Sequence, residues 1–224
     1  MEYAAYVRVE LHTHTRYSRD SLVRPEDLVR RCKELGIDRV AITDHNQIEG
    51  ALAAQALAPE HVIVGEEIQT TEGELIGYYM KERIPEGLSP MAVIEQLQAQ
   101  GAVISAAHPF DTLRSAAWQP GTLEAIATHL DAVEVFNARC LRPSFNQEAD
   151  AFARAKGLPG TVGSDAHSLW ELGRATMVMP EFDDPAGFRA ALRLAQAEVS
   201  LSPFWVHFIS RWAVFRKKLC SNGG

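Results

Sequence analysis

The chain has 224 residues, 46% of them hydrophobic, and a formal net charge of -7 at neutral pH. That composition supports one substantial core and a single domain over residues 1–224, and its negative balance disfavours a broad polyanion-binding surface. The sequence has no apolar run of about eighteen residues, and its opening MEYAAYVRVE lacks the basic-then-apolar layout of a signal peptide. A soluble cytoplasmic protein is expected, with no membrane partner and no obligatory protein partner. Cys32, Cys140 and Cys220 stand apart without CxxC spacing and read as reduced thiols.

In chain order, VRVEL reads as a strand and Pro25 to Leu35 as a helix, with Pro25 suited to the first turn and Gly36 to the end. RVAIT is a strand, IEGALAAQALA a helix and HVIVG a strand. EIQTT and ELIGYYM then flank Glu72-Gly73 as an antiparallel hairpin inserted in the series. The alternation resumes with helix SPMAVIEQLQAQG, strand AVISAAH, helix TLEAIATHL, strand AVEVF and helix PSFNQEADAFARAKG. It finishes with strands GTVGS and ATMVM and a helix over DPAGFRAALRLAQA. Parallel strands with crossover helices form either an open doubly wound sheet or a closed barrel. No glycine-rich phosphate loop follows the first strand, which favours the barrel. The core is expected over about residues 7–200, with a helix over 203–219 packed on it and a frayed tail over 220–224.

The informative pattern lies at the strand ends. His12 and His14 share one face after the first strand, because side chains alternate across an extended chain. Asp44 and His45 follow the second strand, Glu66 and Glu67 the third, and His108 the AVISAA run. Glu134 or Asn137 ends AVEVF, and Asp165 with His167 follows GTVGS. In a parallel barrel these ends converge on one mouth, so donors distant in sequence would meet there. Unrelated strands would not each supply a spare imidazole or carboxylate by chance, and a multi-ligand metal site is expected. Imidazole and carboxylate donors without cysteine suit zinc, manganese or iron.

HTHT at 12–15, TDHN at 43–46, GEE at 65–67, HPF at 108–110 and SDAH at 164–167 together resemble the successive motifs of the PHP family, the polymerase and histidinol phosphatase domain. GRA at 173–175 extends the likeness. The resemblance implies a distorted (β/α)7 barrel, of α/β class, whose mouth holds two or three divalent ions. It places His12, His14, Glu67 and Asp165 around one ion, and Glu67 as a bridge with His108 at a second. A third would lie with Asp20, His45 and His167. Family members usually add a histidine to the second site; Glu74 stands at that place here, exchanging a nitrogen donor for an oxygen donor and adding negative charge.

The implied chemistry is hydrolysis of a phosphate ester of a small metabolite, nucleotide or short oligonucleotide by a hydroxide bridging the ions. An exonuclease, a non-catalytic interaction module and hydrolysis of another bond such as an amide are the alternatives. Asp44, His45 and His167 are candidates for protonating the leaving group, whose general acid is unassigned. Arg139, beyond the AVEVF strand, is the first candidate for gripping the phosphoryl group, Arg174 the second, and Arg16 and Lys81 weaker ones. Glu66 should face away from Glu67 and serve structure. His61 and His129 are not assigned to metal. In PFWVHFISRWAVFRKKL, Phe204, Phe208, Trp212, Phe215 and Leu219 recur at helical spacing. This segment, which holds His207, reads as a helix packed on the barrel, a membrane-surface or partner helix being the alternative.

Overall fold

A computed structural model describes residues 5–221, with side chains as far as Cys220. Its first strand, β1 (Tyr6–Glu10), is followed by α1 (Pro25–Glu34), β2 (Arg39–Ile42), α2 (Glu49–Leu57), β3 (Val62–Thr70) and β4 (Gly73–Tyr78). Then come α3 (Pro90–Gln100), β5 (Val103–Ala106), α4 (Thr122–Ile126), β6 (Ala132–Asn137), α5 (Pro143–Lys156) and β7 (Gly160–Gly163). The chain ends with β8 (Ala175–Pro180), α6 (Pro185–Leu192), β9 (Gln196–Val199) and α7 (Val206–Ser221). Four helices begin with proline at the first helical position, where the missing N–H costs nothing. Ser89 caps α3 by accepting from the Ala92 N–H, and left-handed Gly101 and Gly157 end α3 and α5.

The strands form one sheet in the order β7-β6-β5-β4-β3-β2-β1-β8-β9. Beyond the ends of β1 and β7, Thr13 and Ala166 form a parallel bridge. There the His14 N–H donates to the Ala166 carbonyl at 2.9 Å, and the Ala166 N–H to the His12 carbonyl at 3.3 Å. These contacts close β1 to β7 into a barrel, while residues 6–9 of β1 pair with antiparallel β8. The sheet therefore carries two strands more than the seven-stranded expectation. Within the barrel β4 alone runs against its neighbours β3 and β5. Its beginning thus lies at the mouth where the other strands end, which brings Glu74 to the same rim.

Alternation divides the strand residues between two cores. Val40, Ile42, Val62, Val64, Ile104 and Val133 face outward onto Leu28, Cys32, Ala51, Ile94 and Leu97 of the helices. Ala41, Ile63, Ile76, Val103, Ala132 and Val162 face inward with Phe188 of α6, whose ring meets Tyr78 edge-on at 5.5 Å. Completely burying a side chain such as Phe188 contributes roughly 1.5 to 3 kcal/mol. The lower lumen is thus largely an apolar plug, above which the buried Ser105 and Thr161 hydroxyls meet at 3.0 Å and the polar donors fill the upper end.

Four expectations about single elements need correction. HVIVG and EIQTT are one continuous strand, β3, because Gly65 stays extended and pairs with Tyr78 of β4 instead of turning. The helix expected over 184–197 stops at Leu192, and Gln196–Val199 forms the exposed edge strand β9 on β8. Backbone pairing stabilises β9, and its exposed side chains leave no apolar alternation to read. The helix expected over 122–130 ends at Ile126, continuing as a 3-10 turn over Ala127–His129. Of the expected tail, Cys220 and Ser221 belong to α7, and residues 222–224 lie outside the described residues.

Candidate metal centre

Strands β1, β5 and β7 deliver buried His12, His14, His108, Asp165 and His167 just beyond their carboxyl ends, and β3 and β6 deliver buried Glu67 and Glu134 from within their spans; β2 is followed by buried Asp44 and half-buried His45, and reversed β4 delivers Glu74 from its start. His12, His14, Glu67 and Asp165 are completely excluded from solvent, and His108, His167 and Glu74 nearly so. Asp20, from the loop after β1, is partly exposed at the rim. Glu66 points away from the lumen and accepts the Ile84 N–H at 3.0 Å, as alternation requires.

The donors converge around Glu67. Its Oε2 lies 3.4 Å from Nε2 of His12, 3.4 Å from Nε2 of His14 and 2.9 Å from Nδ1 of His45, and its Oε1 lies 2.8 Å from Nε2 of His108. Oδ1 of Asp165 is 3.1 Å from Nε2 of His14 and 3.7 Å from Nε2 of His12. Oε2 of Glu74 is 3.7 Å from His108. At the rim, Oδ2 of Asp20 stands 3.2 Å from Nε2 of His167 and 3.5 Å from Nε2 of His45. Four overlapping triads, His12-His14-Asp165, His12-Glu67-His108, His45-Glu67-Glu74 and His14-His45-His167, each bring their donor atoms within 4.8 Å of one another.

The residues fit divalent ions by a direct test. Buried Nε2 of His12 and of His14, Oε2 of Glu67, Oδ1 of Asp165 and Oδ1 of Asp20 have no hydrogen-bond partner. Orphaned polar atoms are uncommon in a folded interior and costly, about 1 to 3 kcal/mol each. Five in one cluster are accounted for when they bind metal.

Outer hydrogen bonds set which ring nitrogen each histidine presents. Nδ1 of His12 donates to Oε1 of Glu134 at 2.8 Å, leaving Nε2 as the inward lone pair. Nδ1 of His14 lies 3.2 Å from the Ser18 hydroxyl, whose own hydrogen goes to Oδ1 of Asp44 at 2.5 Å. Asp44 also accepts from the Thr15 N–H at 2.7 Å and the Thr15 hydroxyl at 2.6 Å. Asp44 is thus fully occupied in holding the 15–18 turn and does not face the cavity, which argues against the acid role expected for it. Gly163 lets β7 approach: a Cβ there would lie 2.3 Å from Cβ of His12 and 2.7 Å from Oε1 of Glu134. His108 and Asp165 adopt left-handed backbone with φ of 26° and 53°, a conformation costing a non-glycine residue about 1 to 3 kcal/mol.

Burial opposes charge on His12, His14, His45, Glu67, Glu74 and Asp165, and the neighbours decide the outcome. On His14 burial prevails, reinforced by the imidazoles of His167 and His45, and its pKa is pushed down to about 3. Around His12, Glu134, Glu67 and Asp165 together overcome burial and raise it well above the usual value; Glu67 and Asp20 do the same for His45. Glu67 and Asp165 are held well below the carboxylate range despite burial, by His12 and His45 and by Arg114 and His12 respectively. Burial, then the charge on Glu67, raises Glu74.

A cavity of about 530 Å³ opens above the cluster, lined by Asp20, His45, Glu74 and His167 together with Arg19, Arg114, Arg139 and Arg211. Arg139 reaches it, but is buried and engaged: Nε lies 3.3 Å from Oε1 of Glu171, and Nη2 donates to the Ser210 hydroxyl of α7 at 2.7 Å. Arg174 is not among the lining residues. Arg16 lies on an adjoining cleft with Arg19 and His45, whereas Lys81 lies in a larger cleft of about 910 Å³ beside β3 and the segment after β8 that holds none of the donors. His61, at the beginning of β3, and His129 are likewise outside the clustered donors. Sequence reading missed Arg114, whose Nη2 donates to Oδ2 of Asp165 at 2.6 Å. It sits in the loop DTLRSAAW, with no strand end to signal its position.

Comparisons with known proteins agree with this arrangement. A family model for the PHP domain matches residues 10–114, and one described as PHP-associated matches residues 143–197. Two uncharacterized proteins of Methanocaldococcus jannaschii are similar: one is 39% identical over 59% of this chain and 82% of its own length, the other 34% identical over 79% and 72%. Among solved structures, a two-domain protein from Bacteroides vulgatus containing a predicted PHP-like metal-dependent phosphoesterase aligns with a TM-score of 0.70 and 21% identity. The alignment covers 88% of this chain and 65% of that one. With its motifs, its barrel and its convergent donors in place, the chain belongs to the PHP domain family.

Proposed function

We propose that this protein is a divalent-metal-dependent phosphoesterase that hydrolyses a phosphate ester of a small metabolite, nucleotide or short oligonucleotide. The observation that carries the reading is the set of five unpartnered buried donor atoms beneath a cavity walled by four arginines. His12, His14, Glu67 and Asp165 would hold one ion, Glu67, His108 and Glu74 a second, and Asp20, His45 and His167 a third. The nitrogen and oxygen donor set suits manganese, zinc or iron. Such ions supply a water acidic enough to attack near neutral pH and positive charge for the phosphoryl oxygens.

The chain's own residues do the rest. Arg114 and Arg139 flank the donors, and Arg19 and Arg211 stand farther out, so the wall attracts an anion that the buried carboxylates would otherwise repel. Arg139 is the candidate for gripping the phosphoryl group, held in position by Glu171 and α7. His45 and His167 stand at the cavity wall as the nearest candidates for delivering a proton to the leaving alcohol, a role open to either ring only when it is not bound to metal, and the general acid is unassigned. Phe204, His207 and Phe208 close one side of the cavity, which favours a compact ester or a chain end over a strand passing through.

The test is phosphate release from a panel of phosphomonoesters and short oligonucleotides, with chelator and after returning manganese, zinc or iron. Release that disappears with chelator and recovers with metal supports the reading. Metal retention with no ester turned over would favour an interaction module, and cleavage confined to amides would replace the phosphoesterase by another hydrolase. Turnover of oligonucleotides alone, falling steeply with salt, would favour an exonuclease.

A further inference from the structure

The terminal helix packs on the barrel by a narrow face. Val206 and Ala213 are buried, the Ser210 hydroxyl accepts from Arg139, and Nζ of Lys217 donates to the carbonyls of Arg16, at 2.6 Å, and Ser18. At about 100° per residue these four positions lie together on one side of the helix. The opposite side carries Phe208, Trp212, Phe215 and Leu219, and Phe204 and Trp205 continue it into the preceding turn. All six are exposed, from 46% for Trp205 to 66% for Phe204. Together they expose apolar surface on the order of 500 Å², at the upper end of what a soluble monomer leaves uncovered.

Cations rim this stripe. The same helical rotation puts Arg211 and Lys218 along one edge and Arg216 along the other, all exposed. Residues 206–221 contain no acidic residue, in a chain whose net charge is -7. An apolar stripe with bulky aromatics, edged by cations on both sides, matches a helix lying in the plane of an anionic bilayer. Trp in particular favours the headgroup level. Sixteen residues make about 24 Å of helix, too short to span a bilayer, and no described helix is long and apolar enough to cross one. Pairing with the same face of a second copy would bring the two sets of arginines together, which charge repulsion disfavours.

We infer that α7 docks this protein on anionic phospholipid membranes through Phe208, Trp212, Phe215 and Leu219, with Arg211 and Arg216 contacting the headgroups. This inference departs from the expectation of no membrane partner: the helix packs on the barrel and also presents a second, exposed face. Phe204, Phe208 and Arg211 belong both to this surface and to the cavity wall, so docking sets the mouth of the barrel at the lipid surface.

The experiment is sedimentation of the full chain with vesicles of phosphatidylcholine and phosphatidylglycerol, against vesicles of phosphatidylcholine alone. The chain should sediment with the anionic vesicles, less so as salt rises, and weakly with the neutral ones. Trp212→Ser with Phe215→Ser should weaken binding about tenfold or more, and Arg216→Glu should weaken it and reduce its salt dependence. These positions are exposed and outside the cavity lining, so metal content and thermal midpoint should stay at wild-type values. Equal sedimentation of wild type and the double variant would overturn the inference, as would no binding to either vesicle. A dimer in light scattering that the double variant disperses, without vesicle binding, would assign the face to a second copy.

Discussion

Oε1 of Glu134 accepts the Nδ1 hydrogen of His12 at 2.8 Å, and by doing so fixes Nε2 as the atom that this ring turns toward Glu67. The same carboxylate accepts the His108 N–H at 2.7 Å and the Asn137 amide at 3.2 Å. An amide in its place has a single acceptor oxygen and a nitrogen that opposes one of these donors. Glu134→Gln should therefore weaken metal affinity by about 10- to 100-fold, measured by chelator competition, although Glu134 is not among the proposed ligands.

Asp20 contacts His45 and His167 but not His12 or His14. Asp20→Asn should lower the metal content by one ion and leave the ion at His12 and His14 in place. Mass spectrometry of the purified variant counts the ions, and complete loss of metal would show that the rim is not a separate site.

Asp44 accepts hydrogen bonds from both Thr15 and Ser18, and Ser18 in turn meets His14. Asp44→Asn should reduce metal retention and lower turnover while leaving the shape of the pH-rate profile unchanged. Disappearance of the alkaline limb would instead identify Asp44 as the proton donor.

Glu66, on the outer side of β3, has its pKa raised from 4.5 to about 7, chiefly by burial. Between those values the unfolded chain ionises this carboxyl while the folded chain keeps it protonated, so its contribution to stability falls as pH rises through that window. The difference corresponds to about 3 kcal/mol. Glu66→Gln keeps an acceptor for the Ile84 N–H, and its stability relative to wild type should therefore rise from pH 4.5 to 7 and level off above. Urea unfolding of both proteins across this range measures it, and a flat difference would show that Glu66 is not held neutral.

What could be read from the sequence depended on whether position along the chain implies position in space. His12, His14, Glu67, His108 and Asp165 were legible because they stand at or near strand ends, and a barrel turns such ends into neighbours. Glu134 was legible only as a strand-end carboxylate, since its hydrogen bond to His12 joins residues far apart in sequence. Arg114 was not legible at all, because a loop's path is set by tertiary contacts with Asp111, Asn137 and Asp165. Strand β9 escaped for a similar reason, being held by backbone pairing to β8 without an apolar pattern. The terminal helix was legible as a helix, but which of its faces meets the barrel follows from Lys217 and Ser210.

The central claim is that the buried cluster around Glu67 is a multi-ion centre, and metal counting tests it most directly. The purified protein, loaded with manganese, zinc or iron and then desalted, should retain two or three ions per chain, and His12→Ala should lose at least one of them together with phosphate release. A wild-type chain that retains no divalent ion, or a His12→Ala variant with unchanged metal content and unchanged phosphate release, would contradict the account.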